Sequence, residues 1–169
     1  MSSVSTYDIT FTRAHTATYL TEVILGTIND ILAHLSINAS QLTRDWDTNE
    51  KAVNAWITEG SLEQVVLECH QPAGTVAPVI EFPVTYTASG TADAEFTASR
   101  ARLARFLAKL DTVPSGTTYR LFCTFIGPHS PQPGWSPGSR VSTDGLRSTT
   151  FGTLGRAPHG SAGMRYLHH

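Results

Sequence analysis

The sequence predicts an α+β domain: a mostly antiparallel sheet packed on three helices, followed by a long irregular C-terminal segment. Three observations predict it. Residues 13–35 carry a continuous helical stripe, with Ala17, Leu20, Ile24, Ile28, Ile31 and Leu35 spaced three or four apart. Two strand-like runs, 62–70 and 76–86, the second alternating through Ile80, Phe82, Val84 and Tyr86, flank the turn Gln71-Pro72-Ala73-Gly74 and read as a β-hairpin. A run apolar on both faces, YRLFCTFI at 119–126, reads as a buried strand.

In chain order, Tyr7, Ile9 and Phe11 alternate over 6–11 and predict a short strand before the long helix. Residues 36–46 are a polar connection. Asp47 and Glu50 have N-cap and N3 spacing, so a short helix over 48–59 follows, with Gly60 as its stop. After the hairpin, Pro78 and Pro83 lack an amide hydrogen, so their side of the second strand is expected not to be fully paired. Residues 87–92 are a small-residue loop. A third helix is predicted over 93–110 on the stripe Phe96, Leu103, Phe106, Leu107 and Leu110. The strand at 119–126 is then either central or a covered edge.

The character changes in GPHSPQPGWSPG, residues 127–138, which hold four prolines, three glycines and one tryptophan. Beyond it, isolated apolar residues stand among Ser, Thr, Gly and Arg. The segment is too apolar for a disordered tail and too broken for an ordinary part of the core. It reads as a chain that docks by a few anchors. The division is a core of 1–127, expected to close without the tail, and a C-terminal segment of 128–169 in the same domain.

Charge supports docking. Residues 1–111 hold thirteen acids and seven bases, whereas 112–169 hold five arginines and one acid, Asp144. A basic tail is expected to lie on an acidic body, although chance in a chain only 15% charged gives the same asymmetry. The net charge of −2 does not favour non-specific nucleic-acid binding. MSSVST at the start has neither the basic nor the apolar region of a signal peptide, and no run reaches membrane-span length. A cytoplasmic protein with reduced Cys69 and Cys123 is expected.

No active site emerges. Gly134-Trp135-Ser136-Pro137-Gly138 matches the nucleophile-elbow spacing G-x-S-x-G. Breaker residues precede Ser136 where a strand is required, and Pro137 has no N–H to give an oxyanion hole. Cys69 and Cys123 lie in apolar strand patterns, where a thiol packs as a small hydrophobe. The seven histidines show no metal-ligand spacing. The expectations are no metal, no cofactor and no enzymatic activity.

The order of elements, together with TFTRAHTATYL (10–20), WITEGSLEQVVLE (56–68), FTASRARLARFLAKL (96–110), TTYRLFCTFIG (117–127), PGWSPG and TDGLRSTTFGTL (143–154), resembles the HORMA domain. The likeness is greatest to single-domain bacterial HORMA proteins of antiphage signalling operons (CBASS), and it covers nearly the whole chain. It implies a peptide-binding switch whose C-terminal segment is a safety belt around a closure-motif peptide. It also implies partners: a CD-NTase cyclic-oligonucleotide synthase bound and activated by the closed form, an AAA+ ATPase that reopens the protein from its N-terminus, and in some operons a sister HORMA protein.

On that resemblance the peptide adds as a strand along Tyr119, Leu121, Cys123 and Phe125. Trp135, Leu146, Phe151 and Leu154 are the belt anchors, and residues 127–138 the hinge. Trp135 reads equally well as a satellite core residue under a fixed loop. Ser2, Ser3, Val4 and Ser5 form the ATPase handle. Three other readings stay open: a small hydrolase with 128–169 as a mobile lid, an assembly subunit whose tail swaps onto a neighbour, and a donor of a closure motif to a sister protein.

Overall fold

The computed structural model describes residues 4–87, 97–98 and 100–169, with side chains placed from Arg13 onward except at 88–99. Helix α1 (Val4–His34) carries the expected stripe from Ala17 to Ile31, and these five residues are buried together with Leu35 just past its end. The buried hydroxyl of Thr21 donates to the Ala17 carbonyl at 2.7 Å, so this polar residue is satisfied within the apolar face. Residues 6–11, expected as a strand, are the first turns of α1 instead. Tyr7 and Phe11 are also four apart, no breaker separates them from residue 13, and extending an existing helix is far easier than starting a strand.

The polar connection contains a one-turn helix, α2 (Ser40–Arg44), pinned by buried Leu42. Helix α3 (Trp46–Thr58) starts two residues earlier than expected. Its N-cap position is therefore Asp45, not Asp47, and Asp45 makes no side-chain capping bond. At its other end Gly60 adopts φ +77°, with Ser61 N–H on the Trp56 carbonyl and Gly60 N–H on the Ile57 carbonyl, both at 3.0 Å. That is a Schellman stop, as the glycine predicts.

Strands β1 (Leu62–His70) and β2 (Val76–Tyr86) form the expected hairpin. Thr97 and Ala98, expected as helix, form a two-residue strand β3, and α4 spans Arg100–Leu107. The expected helical residues 93–96 lie outside the described residues. After β4 (Thr118–Phe125), the last part of the chain is not irregular: Arg147–Ala157 is β5 and Gly160–His168 is β6.

The antiparallel sheet has six strands in the order β3-β5-β6-β2-β1-β4. The β5–β6 hairpin is therefore built into the sheet beside β2. Strand β2 is central, and its ladder with β6 skips Phe82 and Pro83, where proline has no N–H to give. Helices cover one face. There Val65, Leu67, Ile80, Phe82 and Val84 meet α1 and α3, joined by Phe151, Leu154, Met164 and Tyr166 from the last hairpin. The opposite face holds a smaller cluster of Val66, Val79 and Leu167, with Phe122 and Leu146 against it. Cys69 is buried among the first set, and burial pushes its thiol up to about 12.

Candidate functional site: a chain wrapped around a free strand edge

Strand β4 lies at the end of the sheet and, among the described residues, pairs only with β1. Its other edge offers backbone donors and acceptors to a further strand. Tyr119, Leu121, Cys123 and Phe125 alternate onto the helix side and pack on the main core, whereas Phe122 faces the opposite side. The four residues expected to face a peptide thus share one side of one open edge.

The joint after β4 is fastened to the end of α3. Ile126 N–H donates to the Ser61 carbonyl at 2.8 Å. The His129 ring stacks on Phe125 with centroids 3.5 Å apart. Trp56 donates its indole N–H to the Ser130 carbonyl at 2.7 Å. The Glu59 carboxylate accepts from the Ser130 N–H at 3.0 Å and from its hydroxyl at 2.9 Å. Hydrogen bonds from Ser61 and Ser130 hold the Glu59 carboxyl below its ordinary range.

The chain then runs along α3. Gly134 sits at φ +84°, and a Cβ there would lie 2.6 Å from Thr48 Cγ2. Only glycine fits this close, left-handed turn. Trp135 packs edge-on against Trp56, centroids 5.4 Å apart. Its indole Nε1 is buried with no hydrogen-bond partner among the described residues.

Three residues later the chain is on the other face of the sheet. A Cβ on Gly138 would lie 3.2 Å from the Phe122 ring. Arg140 bonds Glu81 at 2.8 Å, and Val141 N–H donates to the Glu68 carboxylate at 2.9 Å. Glu81 also takes Arg165 Nε at 2.6 Å. Burial alone would push the Glu81 carboxyl up, but Arg165 and Arg140 together outweigh it and hold it below its ordinary range. Because Trp135 lies on the helix side of β4 and Gly138 on the opposite side, the chain between them passes around the free edge. Beside that edge, on the helix side, lies an open groove of about 460 Å³ lined by Leu42, Asp45, Tyr119, Leu121 and Trp135.

The other expected residues fall as follows. Leu146 is half-buried in the cluster on the face away from the helices. Phe151 and Leu154 are buried, but as part of β5 in the main core rather than on the wrapped stretch. Val4 and Ser5 open α1, while Ser2 and Ser3 lie outside the described residues. Ser136 is exposed, with no strand before it and no helix after it. The charge asymmetry has a structural counterpart in Glu81, which meets two arginines of the C-terminal segment.

Sequence reasoning missed the residues that receive the belt: Trp56, Glu59, Glu68 and Glu81. A signal existed for the last two, since a carboxylate inside VVLEC or VIEF must find a partner if the strand is buried. Among the described residues, no group of three His, Cys, Asp or Glu side chains is placed to hold a metal, and no helix is long and apolar enough to cross a membrane.

Comparison with known proteins agrees with this architecture. No curated protein is a significant sequence match. Among solved structures, a chain of the mitotic checkpoint complex superposes with a TM-score of 0.74 at 9% identity, covering 90% of this chain and 97% of that one. C. elegans HTP-1 bound to the HIM-3 closure motif gives 0.69 at 14% identity, over 90% and 89%. The E. coli MS115-1 CdnC:HORMA-deltaN complex gives 0.59 at 10% identity, over 92% and 88%. The family model for bacterial HORMA domain 2 matches residues 1–168, and with the HORMA fold described above this places the chain in the bacterial HORMA domain family.

Proposed function

We propose that this protein is a peptide-binding conformational switch whose belt, 128–146, closes over an extended peptide added to β4. The single observation that carries the reading is the free β4 edge enclosed by a chain fastened on both faces of the sheet. Backbone hydrogen bonds along the edge supply affinity, and the pockets beside Tyr119, Leu121, Cys123 and Phe125 supply selectivity. Trp135 holds the belt on the helix side, and Leu146 holds it on the opposite face. Phe151 and Leu154 anchor the strand that follows.

In this reading the closed protein binds and activates a CD-NTase cyclic-oligonucleotide synthase in antiphage defence. An AAA+ ATPase resets it by pulling on residues 2–5. The structural neighbours support the setting: one is bound to a closure motif and another is in complex with CdnC.

Hydrogen exchange with and without bound peptide tests the switch. Protection is expected along 118–125 and 128–146; equal exchange of both stretches in the two states overturns it. Deleting residues 2–5 is expected to leave peptide binding intact and to block ATP-driven release. Undiminished release removes the handle.

A further inference from the structure

The open groove at the β4 edge has an uneven chemistry. Leu42, Leu121 and Trp135 give it apolar walls. Its polar lining comes from Asn38 and the start of α2, from Asp45 and Asn49 at the start of α3, and from Thr117 and Thr118 at the start of β4. There Asp45 is the only acidic side chain, and the one basic residue, Arg120, places its guanidinium over the Phe122 ring on the other face of the sheet, 4.8 Å from its centroid.

Asp45 is unusual for its place. An aspartate at a helix N-cap normally spends its carboxylate on the first free amides of the helix. Here it makes no capping bond, although its main-chain carbonyl accepts the Asn49 N–H at 2.9 Å. The carboxylate accepts instead from Gln41 Nε2 through Oδ2. It is also close enough to Tyr119 for its charge to act on that phenol: burial pushes the phenol up, and the negative charge of Asp45 adds to the rise. A half-buried carboxylate thus faces an apolar-walled slot beside the strand edge, with no basic side chain of this protein bridged to it among the described residues.

We propose that the peptide strand seated on β4 carries an arginine on its helix-facing side opposite Tyr119–Leu121, with its stem between Leu42, Leu121 and Trp135 and its guanidinium on Asp45. The inference rests on the peptide-binding reading and adds the chemistry of one ligand position. Arginine fits the slot for three reasons. Its methylene stem covers apolar wall while the head stays charged. Its planar head stacks on an aromatic ring as lysine's does not. Its five donors can serve Asp45 and the neighbouring Asn49 together.

The experiment is selection of a random decapeptide library on the full-length protein, run in parallel on wild type, Asp45→Asn and Asp45→Lys. Thermal melting of each variant confirms that it is folded; Asp45 makes no capping bond, so the start of α3 is retained. Wild type is expected to select peptides with arginine enriched at one fixed position. For such a peptide, Asp45→Asn is expected to weaken binding about tenfold. Asp45→Lys is expected to shift that single position to Asp or Glu while the other positions hold. Selected peptides that protect 118–125 from exchange but show no basic position, or a basic position indifferent to Asp45→Lys, overturn this inference and leave the peptide-binding reading standing. Failure of wild type to select any peptide that protects β4 overturns both.

Discussion

Arg140, which follows the proline-rich joint, meets Glu81 of β2 at 2.8 Å, and Glu81 is 5% exposed. The same carboxylate holds Arg165 of β6. One buried acid therefore ties together the central strand, the belt and the last hairpin. Removing it leaves two arginines without their shared counter-ion, one of them nearly half exposed. Glu81→Ala is expected to lower global stability by about 2–3 kcal/mol, below the usual cost of a fully buried pair because Arg165 can turn to water. It is also expected to raise exchange across 138–146. Chemical denaturation and hydrogen exchange check the two parts; a loss under 0.5 kcal/mol would show that the tie contributes little.

Acid should free the belt before it unfolds the core. Glu59 and Glu81 both lie below the ordinary carboxylate range in the folded protein. A depressed folded value means that the stabilisation is fully present above the unfolded value, about 4.3, and fades as pH falls through the folded one. Limited proteolysis across 128–146 is expected to be slow at pH 7 and to accelerate below about pH 4. Cleavage at equal rates at both pH values contradicts the assignment.

The tight turn at Gly134 should tolerate nothing larger. Gly134→Val adds a β-branched side chain at φ +84°, directly against Thr48. The turn must shift, and Trp135 with it, at an expected cost of about 1–3 kcal/mol to belt docking. Trp135 fluorescence and exchange in 128–138 report the change. The double variant with Thr48→Gly relieves the contact but not the backbone strain, so it should recover only part of the loss.

Phe151→Ala should destabilise the whole domain rather than the belt alone. Phe151 is 8% exposed, packs edge-on against Phe106 at 5.4 Å and lies under the Arg102 guanidinium at 4.1 Å. The expected loss is about 3–4 kcal/mol in a cooperative unfolding transition. A loss confined to peptide affinity, with unchanged unfolding, would place Phe151 on a detachable segment.

This last point marks where the sequence misleads. The stripe of α1 keeps one period throughout, the β1–β2 hairpin was legible from its Pro/Gly turn and the alternation of β2, and β4 from a run apolar on both faces. Strands β5 and β6 were not. Their register shifts twice, between Thr150 and Gly152 and between Thr153 and Gly155, and each shift breaks the alternation by which strands are recognised. Gly160 and Gly163 obscure it further, yet the fold needs them. A Cβ on Gly160 would lie 2.8 Å from the Thr85 carbonyl oxygen, and one on Gly163 would lie 3.1 Å from that of Gly152. What reads as a breaker is close backbone approach inside a sheet. At the site, the prolines and glycines of 127–138 announced a joint, and Trp135 an anchor. The surfaces that receive them could not be read, because Trp56 lies in, and Glu59 caps, a helix whose pattern gives no reason to single them out.

If a peptide strand binds as proposed, the passage of the chain around β4, from Trp135 on one face to Gly138 on the other, would also set how long it stays. A peptide lying inside such a loop is retained by topology as well as by contacts. It leaves by sliding out end-first or by waiting until the loop comes off Trp56 or Glu81. Bulky or folded flanks on both sides of the peptide close the first route. Dwell time then follows the opening of the loop, and weakening one peptide contact shortens it far less than it slows capture. Under the proposed peptide-binding role, an encircled strand would act as a memory, lost through opening of the protein and not through dilution of its ligand.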